Sequence, residues 1–314
     1  MNNYKHPCGE QNSTCDPVSR HGHSDGCCGH EHSHGEAHDG NCCGSEHAHG
    51  GEQGTECCGS EHVRETVPFD KVVEKLDAAF AKNDLVGAER ILSYWESEAR
   101  RIGDAVGLLQ IRSEQIGLYR RLRSEENAIT AVYEALGLIE CEGFEEGAGI
   151  ATVIINAATT LCEFGRAAEA HPYYGKAEEI YLRCLPSDDY RLAALYNNRA
   201  ACEESLGKGD EAERDYNKAI AVLRANGEHD AELAVSYVNL ASLHEAMYEQ
   251  DSERDRLIDT ELEEAWDVLT GRDLPHDGNY AFVLSKCAPS FTHFGQEERG
   301  AYLASEAKRI YEGT

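Results

Sequence analysis

Long apolar runs are missing from this 314-residue chain. No stretch approaches the roughly 20 apolar residues that a membrane helix needs, and the opening residues lack the basic-then-apolar order of an export signal. The expectation is a soluble, cytoplasmic protein with no membrane partner. Basic residues are scarce as well: 29 Lys and Arg stand against 58 Asp and Glu, a formal charge of −29. Such a chain repels a phosphate backbone, which excludes a general nucleic-acid binder working by counterion release. Motifs of catalysis are absent too. There is no Gly-rich phosphate loop, no Gly-x-Ser-x-Gly elbow and no His-Glu-x-x-His. His244-Glu245 comes nearest to the last of these, and Tyr248 occupies the place of its second histidine. The chain is therefore not expected to be an enzyme.

Large apolar residues are almost confined to one part of the chain. Residues 1–66 hold hardly any beyond Tyr4, Val18 and Val63, yet eight of the 13 cysteines and ten of the 15 histidines fall before Val63. A segment so poor in apolar surface cannot offset its ordering entropy and should be disordered unless something else folds it. It repeats at an interval of 15 residues: Cys27-Cys28-Gly29-His30-Glu31-His32-Ser33-His34-Gly35, then Cys42-Cys43-Gly44-Ser45-Glu46-His47-Ala48-His49-Gly50, then Cys57-Cys58-Gly59-Ser60-Glu61-His62. Two thiolates and two imidazoles within one unit are the ligand set of a tetrahedral zinc site, and the flanking glycines let the chain curl round an ion. The candidate ligands are Cys27, Cys28, His32 and His34, Cys42, Cys43, His47 and His49, and Cys57, Cys58 and His62. Sulfur and nitrogen together name a metal class rather than a metal, with zinc or nickel preferred and cuprous copper or cobalt also compatible. A disulfide scaffold, a thiol-based redox buffer and a plain linker are the competing readings; adjacent cysteines bridge one another only with strain.

From Val67 onward Ala, Leu, Glu, Arg and Tyr dominate, and proline occurs only at Pro68, Pro172, Pro186, Pro275 and Pro289. This is the composition of a helical body, and it too repeats. Asn156-Ala157-Ala158, Gly165, Ala170, Tyr174 and Ala177 recur 42 residues later as Asn198-Arg199-Ala200, Gly207, Ala212, Tyr216 and Ala219. Arg123 stands in the glycine's place one interval upstream, and Asn239-Leu240-Ala241 renews the pattern downstream. Each unit reads as two amphipathic helices joined by a tight turn, for instance Leu192, Leu195, Tyr196 and Ala200, then Ala212, Tyr216, Ala219 and Leu223. A lone hairpin cannot cover its apolar face, so the copies are expected to stack into one core. Glu253, Leu257 and Thr260 stand where Ala, Tyr and Ala are expected, which puts the packing of that half-unit in question. The body cysteines Cys141, Cys162, Cys184, Cys202 and Cys287 are expected to be small core side chains, and His171, His229, His276 and His293 surface or cap residues.

Tyr196-Asn197-Asn198-Arg199-Ala200 through Gly207, Glu211-Ala212-Glu213, Tyr216 and Ala219-Ile220 resemble a tetratricopeptide repeat. The interval resembles that of kinesin light chains and related bacterial proteins. The resemblance implies an all-α solenoid of about six hairpins over 67–314, wound as a right-handed superhelix, after a tail at 1–66. It further implies a scaffold whose first helices line a concave groove that holds a protein or peptide partner. Carried over by alignment, Asn156, Asn197, Asn198, Asn239, Arg120, Arg121, Glu204 and Ser242 belong to that face. Asn156, Asn198 and Asn239 occupy equivalent places and form a ladder of amides. Either they pair with the backbone of an extended peptide, or they hydrogen-bond between neighbouring helices and organise the stack. Arg112, Arg120 and Arg121 are expected to cluster at one end and receive a carboxylate unless Glu114, Glu125 and Glu126 neutralise them. The alternative to a metal-binding scaffold is a plain adaptor whose tail is a thiol-rich, redox-sensitive linker.

The tail reading predicts two or three zinc or nickel ions per chain, on the order of one per repeat unit. Titration of the metal-free protein checks this, and binding no tighter than that of a chain starting at Thr66 would sink it.

Overall fold

The computed structural model describes residues 65–227, 230–271 and 274–313. Among these residues there are twelve helices and no strand. They are α1 (Phe69–Phe80), α2 (Leu85–Ile102), α3 (Ala105–Arg121), α4 (Glu125–Glu142), α5 (Ala148–Glu163) and α6 (Ala167–Cys184), followed by α7 (Tyr190–Ser205), α8 (Gly209–Asn226), α9 (Asp230–Met247), α10 (Ser252–Gly271), α11 (Gly278–His293) and α12 (Glu297–Glu312). Consecutive helices pair into six hairpins, the expected all-α arrangement. The metal candidates and the disorder expected of the tail fall on 1–64, outside the described residues.

Five of the six hairpin turns place one residue in the left-handed region. Gly165, Gly207 and Gly295 supply it with φ between 71° and 77°, and the alignment places Arg123 there in the second hairpin. Arg123 does adopt φ 55°, and Asn83 adopts φ 53° in the first. The turn geometry is thus imposed by helix packing even where the side chain opposes it. Asp84 and Asp104 cap the helices that follow them, each accepting from a backbone N–H three residues on, Gly87 at 2.8 Å and Gly107 at 2.9 Å.

Alanine sets how closely the helices approach. Ala88, Ala128, Ala135, Ala157, Ala158, Ala170, Ala177, Ala200, Ala212, Ala219, Ala241, Ala265 and Ala281 are all at 0% exposure, so every hairpin is closed over small side chains. The aromatic rings fill what remains: Tyr174 and Tyr216 are buried, with their hydroxyls reaching Thr159 at 3.1 Å and the Glu204 carboxylate respectively. The core runs without a break from Leu109 to Ala307. The first hairpin closes against Leu108, Ile111 and Leu118, so α3 serves two layers.

The fifth hairpin departs from the interval of 42, though its packing is intact. No residue of the α9–α10 link has a positive φ, and Asp251 caps the helix by accepting from Glu253 at 3.0 Å and Arg254 at 2.8 Å. The core positions then arrive one helical turn late. Ile258, Glu261, Leu262, Ala265 and Leu269 take the places of Ala212, Asp215, Tyr216, Ala219 and Leu223, while Glu253 and Thr260 are exposed. The expected disruption at Glu253, Leu257 and Thr260 is therefore a shift of register.

The expectation for the body cysteines holds for two of them. Cys202 and Cys287 are buried, whereas Cys141 and Cys162 are half-buried and Cys184 is exposed.

The turn analysis predicts opposite signs at equivalent places. Gly207→Ala should lower stability by about 1 kcal/mol and Arg123→Gly should leave it unchanged or raise it by up to about 1 kcal/mol. Thermal unfolding of both variants checks this, and shifts of the same sign would contradict it.

Candidate partner-binding face

The first helices of successive hairpins lie side by side, α3 against α5, α5 against α7 and α9 against α11. Buried residues on two sides of each helix leave one row of positions open between them. Asn156, Asn198 and Asn239 occupy that row, half-exposed, each followed by two buried residues. None of the three forms a side-chain hydrogen bond among the described residues. Among the described residues no side-chain hydrogen bond of this amide ladder ties one helix to the next. Two further rungs follow from the same burial pattern: Glu114, 42 residues before Asn156, and Lys286, 47 residues after Asn239.

The neighbouring candidates behave differently. Asn197 turns into the stack, where its Nδ2 donates to Ser236 Oγ at 2.9 Å and ties α7 to α9. Its Oδ1 is buried without a partner. One residue of helix rotation separates this structural role from the open position of Asn198. Ser242 is exposed but donates to its own helix at Val238 O, 3.0 Å away. Glu204 is half-buried and accepts from Tyr216; burial pushes its carboxyl up, against the lowering effect of that bond.

The arginines do not converge as expected. Arg121 is exposed and lies over the Phe80 ring, 5.3 Å from its centroid. Arg120 pairs with Glu163 at 3.6 Å. Arg112 is only 6% exposed and sits inside the stack between Glu96, 2.5 Å away, and Glu134. The neutralising groups are thus Glu96, Glu134 and Glu163 rather than Glu114, Glu125 and Glu126. Burial alone would raise Glu96, but the Gln115 hydrogen bond and the Arg112 charge hold its carboxyl below the usual range.

Arg112 belongs to a set that sequence reasoning missed. In three hairpins a basic side chain on the first helix lies between a carboxylate of the preceding hairpin and one of its own. Arg112 joins Glu96 of α2 to Glu134 of α4, and Arg199 joins Glu178 of α6, at 2.5 Å, to Asp215 of α8, at 3.0 Å. His244 places Nε2 3.5 Å from Glu213 of α8 and Nδ1 2.8 Å from Glu261 of α10. Burial disfavours the guanidinium charge of Arg199, yet Asp215 and Glu178 raise its pKa above the ordinary value. The available signal was a lone charged residue at an otherwise apolar position of each first helix. His244, the remnant of a motif, is one of these clamps.

His171 Nε2 lies 3.1 Å from the Glu203 carboxylate, linking α6 to α7. His276 and His293 are exposed, as expected of surface residues, and His229 lies outside the described residues. Among the described residues no group of three or more His, Cys, Asp and Glu is placed to hold a metal ion, and no helix is long and apolar enough to cross a membrane.

Stacked helical hairpins with an open first-helix face define a tetratricopeptide-type solenoid. Residues 191–257 match the family described as tetratricopeptide repeat. No curated protein matches the chain. Among solved structures, BtubC (BKLC) from P. vanneervenii is 19% identical, with 77% of this chain and 91% of that chain covered and a TM-score of 0.51. A putative kinesin light chain with nearly identical TPR-like repeats from Podosopora anserina is 15% identical over 64% of this chain and 94% of that one, with a TM-score of 0.47. The likeness to BtubC is one of fold.

The His244 clamp carries a pH dependence. Burial would depress the imidazole, but the nearby carboxylates of Glu261, 2.8 Å away, and of Glu213 hold it above its ordinary value. Burial raises Glu261 in turn, opposed by His244. Since the folded pKa of the imidazole exceeds the unfolded value of about 6.5, its stabilisation is complete below that pH and fades as pH rises through the folded value. His244→Gln should therefore show a smaller loss of Tm than the native chain between about pH 6 and pH 8. Equal losses in calorimetric scans would refute this.

Proposed function

We propose that the chain is a non-enzymatic, cytoplasmic interaction scaffold that holds a peptide segment of a partner protein along its first-helix face. The observation that carries this reading is the ladder of Asn156, Asn198 and Asn239, half-exposed and unpartnered at equivalent places. An amide presents one acceptor and two donors, which match the alternating N–H and C=O groups of an extended backbone and select little by sequence. Residues beside the ladder then supply specificity. The repeated Cys and His units of the tail, on sequence grounds, bind zinc or nickel and add storage, sensing or delivery of that metal to the scaffold.

The combined variant Asn156→Ala, Asn198→Ala, Asn239→Ala tests the ladder. Alanine is the better helix former, so Tm should stay within about 2 °C of native. Affinity for peptides selected on the full chain from a random library should fall at least about tenfold, as loss of about 1.4 kcal/mol of hydrogen bonding requires. Unchanged affinity, or a Tm loss of many degrees, would show that the amides organise the stack instead.

A further inference from the structure

The first halves of α3 and α5 border a groove of about 460 Å³ whose walls include Phe69, Val106, Phe144 and Ile150. This lies within the size range of pockets that take ligands, roughly 300–1,000 Å³. Val106 is 57% exposed, and both phenylalanines are only half-buried, so apolar surface faces the groove without a covering element. Glu114 stands at its edge and is half-buried. Burial pushes its carboxyl up, and the negative charge of Asp77 on α1 pushes it further. Among the described residues no cation or hydrogen-bond donor pairs with this carboxylate.

A half-buried carboxylate beside a second acid is a group that a cation would relieve. The apolar walls favour the methylene stem that carries such a cation, and an apolar neighbour beside it. An acidic segment would meet Glu114, Asp77 and the exposed Glu145 and be repelled. Glu114 is itself the rung before Asn156, so a backbone lying along the ladder passes this groove.

We propose that the α3–α5 groove is the specificity pocket of the partner-binding face and takes a lysine or arginine adjoining an apolar residue of the partner peptide. The cation sits against Glu114 and the apolar side chain against Phe69, Phe144 and Ile150. This assignment rests on the scaffold reading above and adds the chemistry of the occupant.

Three labelled peptides of about 12 residues serve as probes of the full chain by fluorescence anisotropy at about 150 mM salt. The first carries leucine–lysine pairs in a serine background, the second has each lysine replaced by glutamate, and the third keeps lysine but replaces leucine by serine. The first should bind at least about tenfold more tightly than the others, and Glu114→Gln should weaken it at least about fivefold. Glu125→Gln, which removes one exposed carboxylate from α4, should change nothing. The proposal is overturned if the first peptide fails to bind up to about 1 mM. It is equally overturned if the third binds as well as the first, which marks general attraction to an acidic chain, or if Glu114→Gln has no effect. Should the first peptide bind and only the triple asparagine variant weaken it, the pocket assignment falls and the scaffold reading stands. Should neither variant weaken it, both fall.

Discussion

Closure of each hairpin by the next is the constraint on which the molecule depends. A pair of amphipathic helices has an apolar face that its own two members cannot cover, and here the fully buried alanines, from Ala88 to Ala265, let the following hairpin approach closely enough to cover it. The same approach forces Arg123 and Asn83 into the left-handed region where other turns use glycine. Close packing thus sets the turn, and the turn residue follows where it can. In the fifth hairpin the link between α9 and α10 is built differently, yet Ile258, Leu262 and Ala265 still reach the core one turn later.

Apolar closure alone would let neighbouring hairpins slide, because alanine surfaces are smooth. The buried basic side chains oppose this. Arg112, Arg199 and His244 each lie between carboxylates of two hairpins, and sliding one hairpin past the next would separate these groups. A buried ion pair adds little net stability against a well-packed apolar alternative, whereas removing one partner costs several kcal/mol. We read the clamps as devices for register, which in turn aligns the open row that carries Glu114, Asn156, Asn198, Asn239 and Lys286.

Helix pairing, the interval of 42 and the place of Tyr174 and Tyr216 were legible because periodic burial writes itself into periodic sequence. The register of α10 was not, since the link before it lacks the glycine that marks the other turns. Nor was the burial of Arg112: its partners Glu96 and Glu134 lie on other helices, and a charge is read as surface until its tertiary partners are known. Asn197 and Asn198 were indistinguishable by type, and only the packing of α9 against α7 separates the bonded amide from the open one. The groove beside Glu114 is built from α1, α3, α5 and the link before α5, so no single stretch of sequence announces it.

The central claim is that the ladder amides are unengaged within the stack and so are available to a partner. Hydrogen exchange of asparagine side-chain amides, followed by NMR on the full chain labelled at asparagine, tests it directly. The side chains of Asn156, Asn198 and Asn239 should exchange at the rate of freely solvated amides, with Asn197 slower because it is held by Ser236. Protection of the ladder amides equal to that of Asn197 would mean that they bond within the stack, and would contradict the account.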